Sequence, residues 1–202
     1  MKVFRVRTQA AMVGLRLLAG TMGVLGAGSG GAGSLRYEVT APLRSVGGGP
    51  VYACYSYDLM PADPCGGVLL KGVDMRTIPT VQGYAENATL ETGPVRLVGR
   101  WENGALILTE PPGPATNETP FPDPCKQDVG FVPQADMLAL QDRVIRDSAF
   151  QSGQIQMIRT LPCEGKVGIL VVVADAGTVA YLTRRYPAVV VAGWLQPVQP
   201  GF

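Results

Sequence analysis

The sequence of 202 residues contains no histidine. Histidine is the side chain most often used as a general base and as a metal ligand near neutral pH. Its absence excludes Ser-His-Asp and Cys-His catalysis, and it excludes zinc sites that contain histidine. We therefore expect no catalytic residue, no bound cofactor and no metal ligand, and we expect the protein not to be an enzyme.

The sequence also lacks a Cys-x-x-Cys pair, which argues against a zinc ribbon and against a thioredoxin-type redox motif. An even number of cysteines behind an export signal favours disulfides. Cys54 and Cys65 flank a short segment that can close as a hairpin, and Cys125 and Cys163 would tie a linker to the second half of the chain. We predict these two pairs, with crossed pairing and four free thiols in a cytosolic protein as the alternatives.

Long runs of charge are absent as well. The chain carries 17 basic and 16 acidic residues, for a net charge of +1. This balance argues against a nucleic-acid partner and against a polybasic membrane patch. The glycine-rich stretch GSGGAGS has neither a preceding buried strand nor a following Lys-Ser/Thr pair, so it reads as a linker rather than a phosphate loop.

The N-terminal apolar run, Leu17 to Ala27, is about 11 residues long, shorter than the roughly 20 that span a membrane. Basic residues precede the run and small residues follow it, as in an export signal. Leu25-Gly26-Ala27 matches the end of a lipoprotein signal, but Gly28 stands where the lipid-bearing cysteine should be. We predict that residues 1–35 are an export signal and a Gly/Ser linker. The alternative is an uncleaved anchor that associates with the membrane through residues 1–28.

The proline-rich segment 111–124 divides the remainder into two parts. Residues 36–110 have β composition, and Asn103-Gly104 between two apolar runs predicts a tight hairpin. The number of short strands is typical of a small antiparallel barrel or sandwich, and an OB-like barrel fits the length. We predict a β-rich domain over 36–110, a linker over 111–124 and an α+β domain over 125–202.

Within the second domain, the order of predicted elements is helix, strand, strand, helix, strand. Met137, Leu140 and Val144 recur at helical spacing, and residues 168–175 form an apolar, β-branched run typical of a strand covered on both faces. Asp175 is a candidate N-cap for the second helix. This order predicts an α+β layer with helices on one face of a small sheet.

Tyr55, Tyr57 and Trp101 form a candidate ligand face. Alternation along a strand places Tyr55 and Tyr57 together and Tyr52 on the opposite side, although ordinary core packing explains the same residues. Scattered acidic residues near Pro and Gly are explained by turns, with a metal site as the alternative: Asp58, Asp63, Asp74, Glu102, Glu110, Asp123 and Asp128. Asn87 and Asn117 match the N-glycosylation pattern, which applies only in a eukaryotic secretory pathway.

Several short motifs resemble a group of exported, lipoprotein-like proteins of high-GC actinobacteria. The motifs are the leader ending near LGA-x-SGG, Cys54 followed by the segment Pro61 to Gly67, the hairpin Val98 to Pro112 ending in TEPP, and the terminal WLQPV. The resemblance implies an exported, disulfide-bearing protein, and it implies no activity. Gly28 departs from the group and puts lipid attachment in doubt.

These observations favour a non-catalytic envelope or extracellular protein that binds a partner protein, an envelope component or another ligand. One alternative is an accessory subunit of a membrane complex, held by an uncleaved N-terminal helix. The other is a histidine-free hydrolase, which requires two facing carboxylates with a raised pKa on one of them.

Overall fold

The computed structural model describes residues 35–56, 65–79, 82–84, 88–115, 117–126 and 134–199. The leader with Gly28, the candidate ligand residue Tyr57 and the glycosylation motif at Asn87 lie outside the described residues, as do Asp58, Asp63 and Asp128. Residues Gly33–Phe202 belong to one compact unit. Its described residues form two sheets and three α-helices, so the predicted α+β class is confirmed.

The first sheet contains most of the strands. These are β1 (Arg36–Ser45), β2 (Val51–Ser56), β3 (Gly66–Lys71), β4 (Gln82–Tyr84), β5 (Thr89–Glu102), β6 (Ala105–Leu108), β7 (Gly113–Pro114) and β11 (Gln196–Pro197). The pairings run from β1 to β2, β3, β6 and β5, and β5 pairs again with β1, so this circuit of strands closes on itself. The expectation of a purely antiparallel sheet is wrong at one place, because β3 and β6 are parallel.

The predicted hairpin joins β5 to β6. Glu102 pairs with Ala105, and the two turn residues Asn103 and Gly104 have φ angles of 50° and 74°. Asparagine and glycine tolerate this left-handed backbone better than other residues, which is why the sequence marks the turn.

Strand β5 is longer than the sequence suggests. The sequence predicts a strand or loop over 81–93 and a separate strand over 95–101, whereas β5 continues through Pro94. Pro94 lies opposite Pro42, and the register of β1 shifts just after Pro42. Neither proline can donate to the ladder, so the shift leaves the Leu43 amide to donate to the Thr92 Oγ1 atom at 3.0 Å.

The second sheet has the order β10-β9-β8 and carries the helices. Its elements are α1 (Gln134–Ile145), α2 (Ser148–Gln151), β8 (Met157–Cys163), β9 (Lys166–Val171), α3 (Ala176–Arg185) and β10 (Val189–Gly193). β8 is an edge strand, and β9 is the buried central strand, paired in parallel with β10 through the α3 crossover. No helix within the described residues is long and apolar enough to cross a membrane.

The helices meet the sheet as their sequence pattern predicts. Leu140 and Val144 of α1 and Leu182 of α3 are buried. The Asp175 carboxylate accepts a hydrogen bond of 2.7 Å from the Thr178 amide, which confirms the predicted N-cap.

Two clusters of buried hydrophobic residues form the interior. The first cluster contains buried residues of the strand circuit formed by β1, β2, β3, β6 and β5, such as Val39 and Leu43 of β1. It also contains four residues from the second half of the chain: Val172, Val173, Trp194 and Leu195. The second lies between β9 and the helices. The chain therefore contributes residues from both sides of the segment 111–124 to one core.

Two disulfides are formed, Cys54–Cys65 and Cys125–Cys163, and they are the predicted pairs. The cysteines are 11 and 38 residues apart in sequence. Loop entropy predicts that the two bonds stabilise the fold by about 3 and about 4 kcal/mol. Such bonds are compatible with an oxidising compartment.

Candidate ligand-binding cleft

Strand β2 forms one side of a cleft about 430 Å³ in volume. The register of β2 against β3 shifts between Cys54 and Ser56, so the strict alternation of side chains is interrupted there. Consequently Tyr52 and Tyr55 both line the cleft, whereas alternation had placed Tyr52 on the opposite face.

Gly67 of β3 lies beside the bulge. A Cβ atom at Gly67 would be 2.6 Å from the Ala53 carbonyl oxygen and 3.1 Å from the Cys65 Sγ atom. Only glycine allows so close an approach of the two strands beside the Cys54–Cys65 disulfide. The disulfide and this glycine together fix the strand segment that carries the two tyrosines.

The opposite side of the cleft comes from the chain between α1 and β8. Its lining side chains are apolar or amide-bearing: Ile145, Phe150, Gln151, Ile155, Gln156 and Met157. No acidic or basic side chain occurs among the described residues that line the cleft. The cleft therefore offers apolar surface and neutral hydrogen-bonding groups.

The two glutamines are held by backbone carbonyls. The Gln151 Nε2 atom donates to the Ile145 carbonyl at 3.0 Å, and the Gln156 Nε2 atom donates to the Gly104 carbonyl at 3.3 Å. Among the described residues no donor to either amide oxygen is found, and an amide oxygen can accept hydrogen bonds.

Tyr55 also belongs to an aromatic group. Its ring packs edge-on against Trp194, with 5.3 Å between ring centroids, and against Phe121 at 6.5 Å. The Arg159 guanidinium lies over the Phe121 ring, 4.9 Å from its centroid. One edge of Tyr55 is thus fixed by the interior while another borders the cleft, so both predicted roles, packing and cleft lining, apply to the same ring.

Trp101 does not line the cleft that Tyr55 lines. It borders a smaller cavity of about 90 Å³, together with Asp175 and Thr178. The two cavities have Gly104, Gly153, Ile155 and Gln156 in common, so the cavity that Trp101 borders adjoins the cleft that Tyr55 lines. Tyr57, the third residue of the predicted face, is outside the described residues.

The scattered acidic residues act locally where the structure describes them. Asp74 and Asp123 accept hydrogen bonds of 2.9 Å from the amides two residues ahead, as in turns. Glu102 pairs with Arg100, and Glu110 pairs with Arg36 and Arg96. Across the described ranges, no group of three or more acidic or cysteine side chains is placed to hold a metal ion.

Asp147, which the sequence does not single out, is the most enclosed carboxylate in the part of the chain that the structure describes. It is 3% exposed and accepts hydrogen bonds from the Tyr186 hydroxyl at 2.6 Å, the Tyr181 hydroxyl at 2.9 Å and the Ala149 amide at 2.8 Å. Arg185 pairs with it at 2.6 Å. Burial by itself would raise the pKa of Asp147, but these hydrogen bonds and the arginine charge lower it below its ordinary value.

Comparison with protein-family models, with curated proteins and with solved structures finds no match for this chain. The candidate function is therefore argued from the cleft and from the chemistry of its residues.

Proposed function

We propose that the chain is an exported, disulfide-stabilised, non-catalytic protein of the cell envelope or extracellular space that binds a partner or ligand in the cleft beside β2 and β3. The cleft itself carries this proposal. It joins two tyrosine rings to two glutamine side chains whose Nε2 atoms are held by backbone carbonyls. Apolar concave surface with a few fixed polar groups is typical of binding sites.

The closed strand circuit supports an OB-like barrel as the scaffold. The order β1-β2-β3-β6-β5, with β3 parallel to β6 and β5 returning to β1, is compatible with such a partly open Greek-key barrel. Tyr52, Tyr55 and Leu69 lie on β2 and β3, the strands whose face OB folds use for ligands. The hairpin residue Gly104 lines the same cleft, as the corresponding loop does in that fold.

The lining favours an uncharged ligand group. A buried charge needs a partner of opposite sign, and the described lining residues supply none. Tyrosine rings provide flat apolar surface at low conformational cost, and glutamine oxygens accept hydrogen bonds from hydroxyl or amide groups. A ligand with a flat apolar face and neutral hydrogen-bond donors would contact both the tyrosine rings and the glutamine oxygens.

Export is supported by the two disulfides and by the leader pattern of residues 1–35. The resemblance to exported, lipoprotein-like actinobacterial proteins points the same way. Gly28 favours secretion or envelope association without a lipid anchor, since the thioether requires a cysteine sulfur.

Photo-crosslinking tests the cleft as the binding site. A benzoylphenylalanine would replace Gln151, which lines the cleft, or Arg184, which lies on α3 and does not line it. Each protein would be exposed to envelope and culture-supernatant extracts of the producing cells. We expect a discrete crosslinked product from position 151, about tenfold weaker after Tyr52→Ala, and none from position 184.

Tyr52 suits this purpose because it lines the cleft and is not among the buried core residues. An unchanged far-UV circular dichroism spectrum would show that Tyr52→Ala leaves the fold intact. Equal products from both positions, no product from position 151, or a product insensitive to Tyr52→Ala would each refute binding in the cleft.

A further inference from the structure

A further cavity lies where the C-terminal ends of α1 and α3 approach each other. Its volume is about 560 Å³, and its lining includes Arg143, Arg146 and Arg185. The other lining residues are Asp142, Asp147, Ser148 and Tyr186. Three guanidinium groups thus meet at one cavity of a chain whose net charge is only +1.

The ion pairs of this cavity leave an excess of positive charge. The Arg146 Nη2 atom is 2.7 Å from the Asp142 Oδ2 atom, and the Arg185 Nε atom is 2.6 Å from the Asp147 Oδ2 atom. The Arg143 side chain has no partner among the described residues. The lining therefore carries three positive charges against two negative charges, and the unmatched charge belongs to Arg143.

Arg185 is held in place by groups other than a ligand. Its Nε atom is fixed by Asp147 and lies 3.3 Å from the Tyr186 hydroxyl oxygen, and its guanidinium is over the Tyr186 ring at 5.8 Å from the centroid. Its two Nη atoms have no partner within the described part of the chain. A guanidinium oriented in advance loses less conformational entropy when it binds an anion.

Tyr186 also brings the two helix ends together. Its hydroxyl donates to Asp147 at 2.6 Å and lies 3.4 Å from the Arg143 carbonyl oxygen. Arg143 and the fixed Arg185 thus border the same cavity from α1 and α3. Guanidinium groups bind carboxylate, phosphate and sulfate oxygens through paired N–H donors.

We propose that this cavity is a binding site for an oxyanion, with the Nη atoms of Arg143 and Arg185 as the donors. The chemistry is distinct from that of the neutral cleft beside β2. Two effects weaken the binding of an anion here: the C-terminal ends of α1 and α3 carry partial negative charge, and Arg146 is already paired with Asp142. Because the cavity has only one excess positive charge, we expect a Kd of about 1 mM. The oxyanion could be free or could belong to the headgroup of an anionic lipid.

Titration at constant ionic strength tests the site, because salt screens exposed charges and would otherwise mimic competition. Inorganic phosphate would be added to the full chain and binding followed by the backbone amide shifts of residues 142–148 and 185–186. A parallel arm would measure co-sedimentation with vesicles of phosphatidylcholine and phosphatidylglycerol. We expect saturable phosphate binding, weakened about tenfold by Arg143→Gln, which corresponds to about 1.4 kcal/mol.

Two variants serve as controls. Arg184→Gln removes the same charge from α3 beside Arg185 but outside the cavity, and it should leave the Kd unchanged. Arg143→Lys keeps the charge but not the paired donors, so its affinity should fall between those of the wild type and Arg143→Gln.

The proposal is overturned if phosphate gives no saturable shift, or if Arg184→Gln weakens binding as much as Arg143→Gln does. Vesicle binding that depends on Arg143 would assign the oxyanion to a lipid headgroup, and phosphate binding without vesicle binding would assign it to a soluble ion. Because the Arg143 side chain forms no hydrogen bond or ion pair with a described residue, its substitution should not alter folding, which an unchanged far-UV circular dichroism spectrum would check.

Discussion

At the scale of single residues, Asp147 links α2 with α3 and with the residue that follows α3. Its carboxylate caps α2 by accepting a hydrogen bond from the Ala149 amide. It also accepts hydrogen bonds from the hydroxyl of Tyr181, which lies on α3, and from the hydroxyl of Tyr186, which follows α3. A carboxylate with this many donors retains its charge despite burial. Removing it would leave two partly buried hydroxyls without their acceptor.

We expect Asp147→Ala to lower the free energy of unfolding by about 3 kcal/mol. The loss combines a helix cap of about 1 kcal/mol with two tyrosine hydrogen bonds of about 1 kcal/mol each. Urea denaturation followed by circular dichroism measures it. Asp142→Ala removes an exposed pair in the same region and should cost less than about 1 kcal/mol; equal losses in the two variants would contradict the role given to Asp147.

The lowered pKa of Asp147 also makes the free energy of unfolding depend on pH. The pKa of Asp147 is lower in the folded state than its ordinary value of 3.8, so the unfolded state binds the proton more readily. Its stabilising contribution is therefore complete above that ordinary value and is lost as the pH falls towards the folded-state pKa. We expect the difference in unfolding free energy between the wild type and Asp147→Asn to be constant from neutral pH to about pH 4 and to shrink below it. A difference that stays constant throughout the acid range would show that this group is not responsible.

The sequence could not reveal this residue. Asp147 follows a helical pattern and reads as a helix end, while its two tyrosine partners lie 34 and 39 residues further along the chain. Local pattern identifies caps such as Asp175, whose partner is the Thr178 amide three residues away. A polar contact between distant segments depends on how the elements pack, which no local spacing encodes.

At the scale of elements, the bulge in β2 decides what the cleft contains. Alternation correctly predicted that β2 is a strand, but the register shift after Cys54 turns Tyr52 and Tyr55 to the same cleft. The Cys54–Cys65 pair and the Asn103-Gly104 hairpin could be predicted because each depends on a short segment. The opposite wall could not, because the local sequence does not show that Gln151 and Gln156 face β2.

The approach of β9 to the second disulfide gives another test at this scale. A Cβ atom at Gly168 would lie 2.8 Å from the Pro124 Cγ atom and 2.9 Å from the Cys163 Sγ atom. We expect Gly168→Ala to lower the free energy of unfolding by about 2 kcal/mol, because the overpacking displaces atoms held by the Cys125–Cys163 bond. Thermal unfolding monitored by circular dichroism provides the measurement.

Gly93 provides the matched control. It also lies in a strand, β5, but no atom lies within 4 Å of a Cβ added there. Gly93→Ala should change stability by less than about 0.5 kcal/mol. If Gly168→Ala were equally neutral, the packing around the disulfide would have to be looser than the distances indicate.

At the scale of the whole molecule, the two halves of the chain exchange core residues. Trp194 and Leu195 leave the second sheet after β10 and are buried with residues of β1 and β3 in the first cluster. β11 then pairs with β1, at Tyr37 and Glu38. The sequence predicts a boundary at the proline-rich segment because proline interrupts regular structure, but composition does not show which apolar residues beyond it return to the first sheet.

This exchange leads us to expect a single cooperative unfolding transition. Urea unfolding would be followed by fluorescence in Trp101→Phe, which leaves Trp194 as the only tryptophan, and by far-UV circular dichroism. Trp194 is 2% exposed and contacts Tyr55 and Phe121, so its signal reports on the first cluster, while the helices of the second cluster dominate the circular dichroism. Coincident midpoints are expected if the shared core couples the two sheets. Two separate midpoints would instead show that residues 36–110 and 125–202 unfold as independent domains. The contacts of Trp194 and Leu195 with the first cluster would then not be enough to make the two parts unfold together.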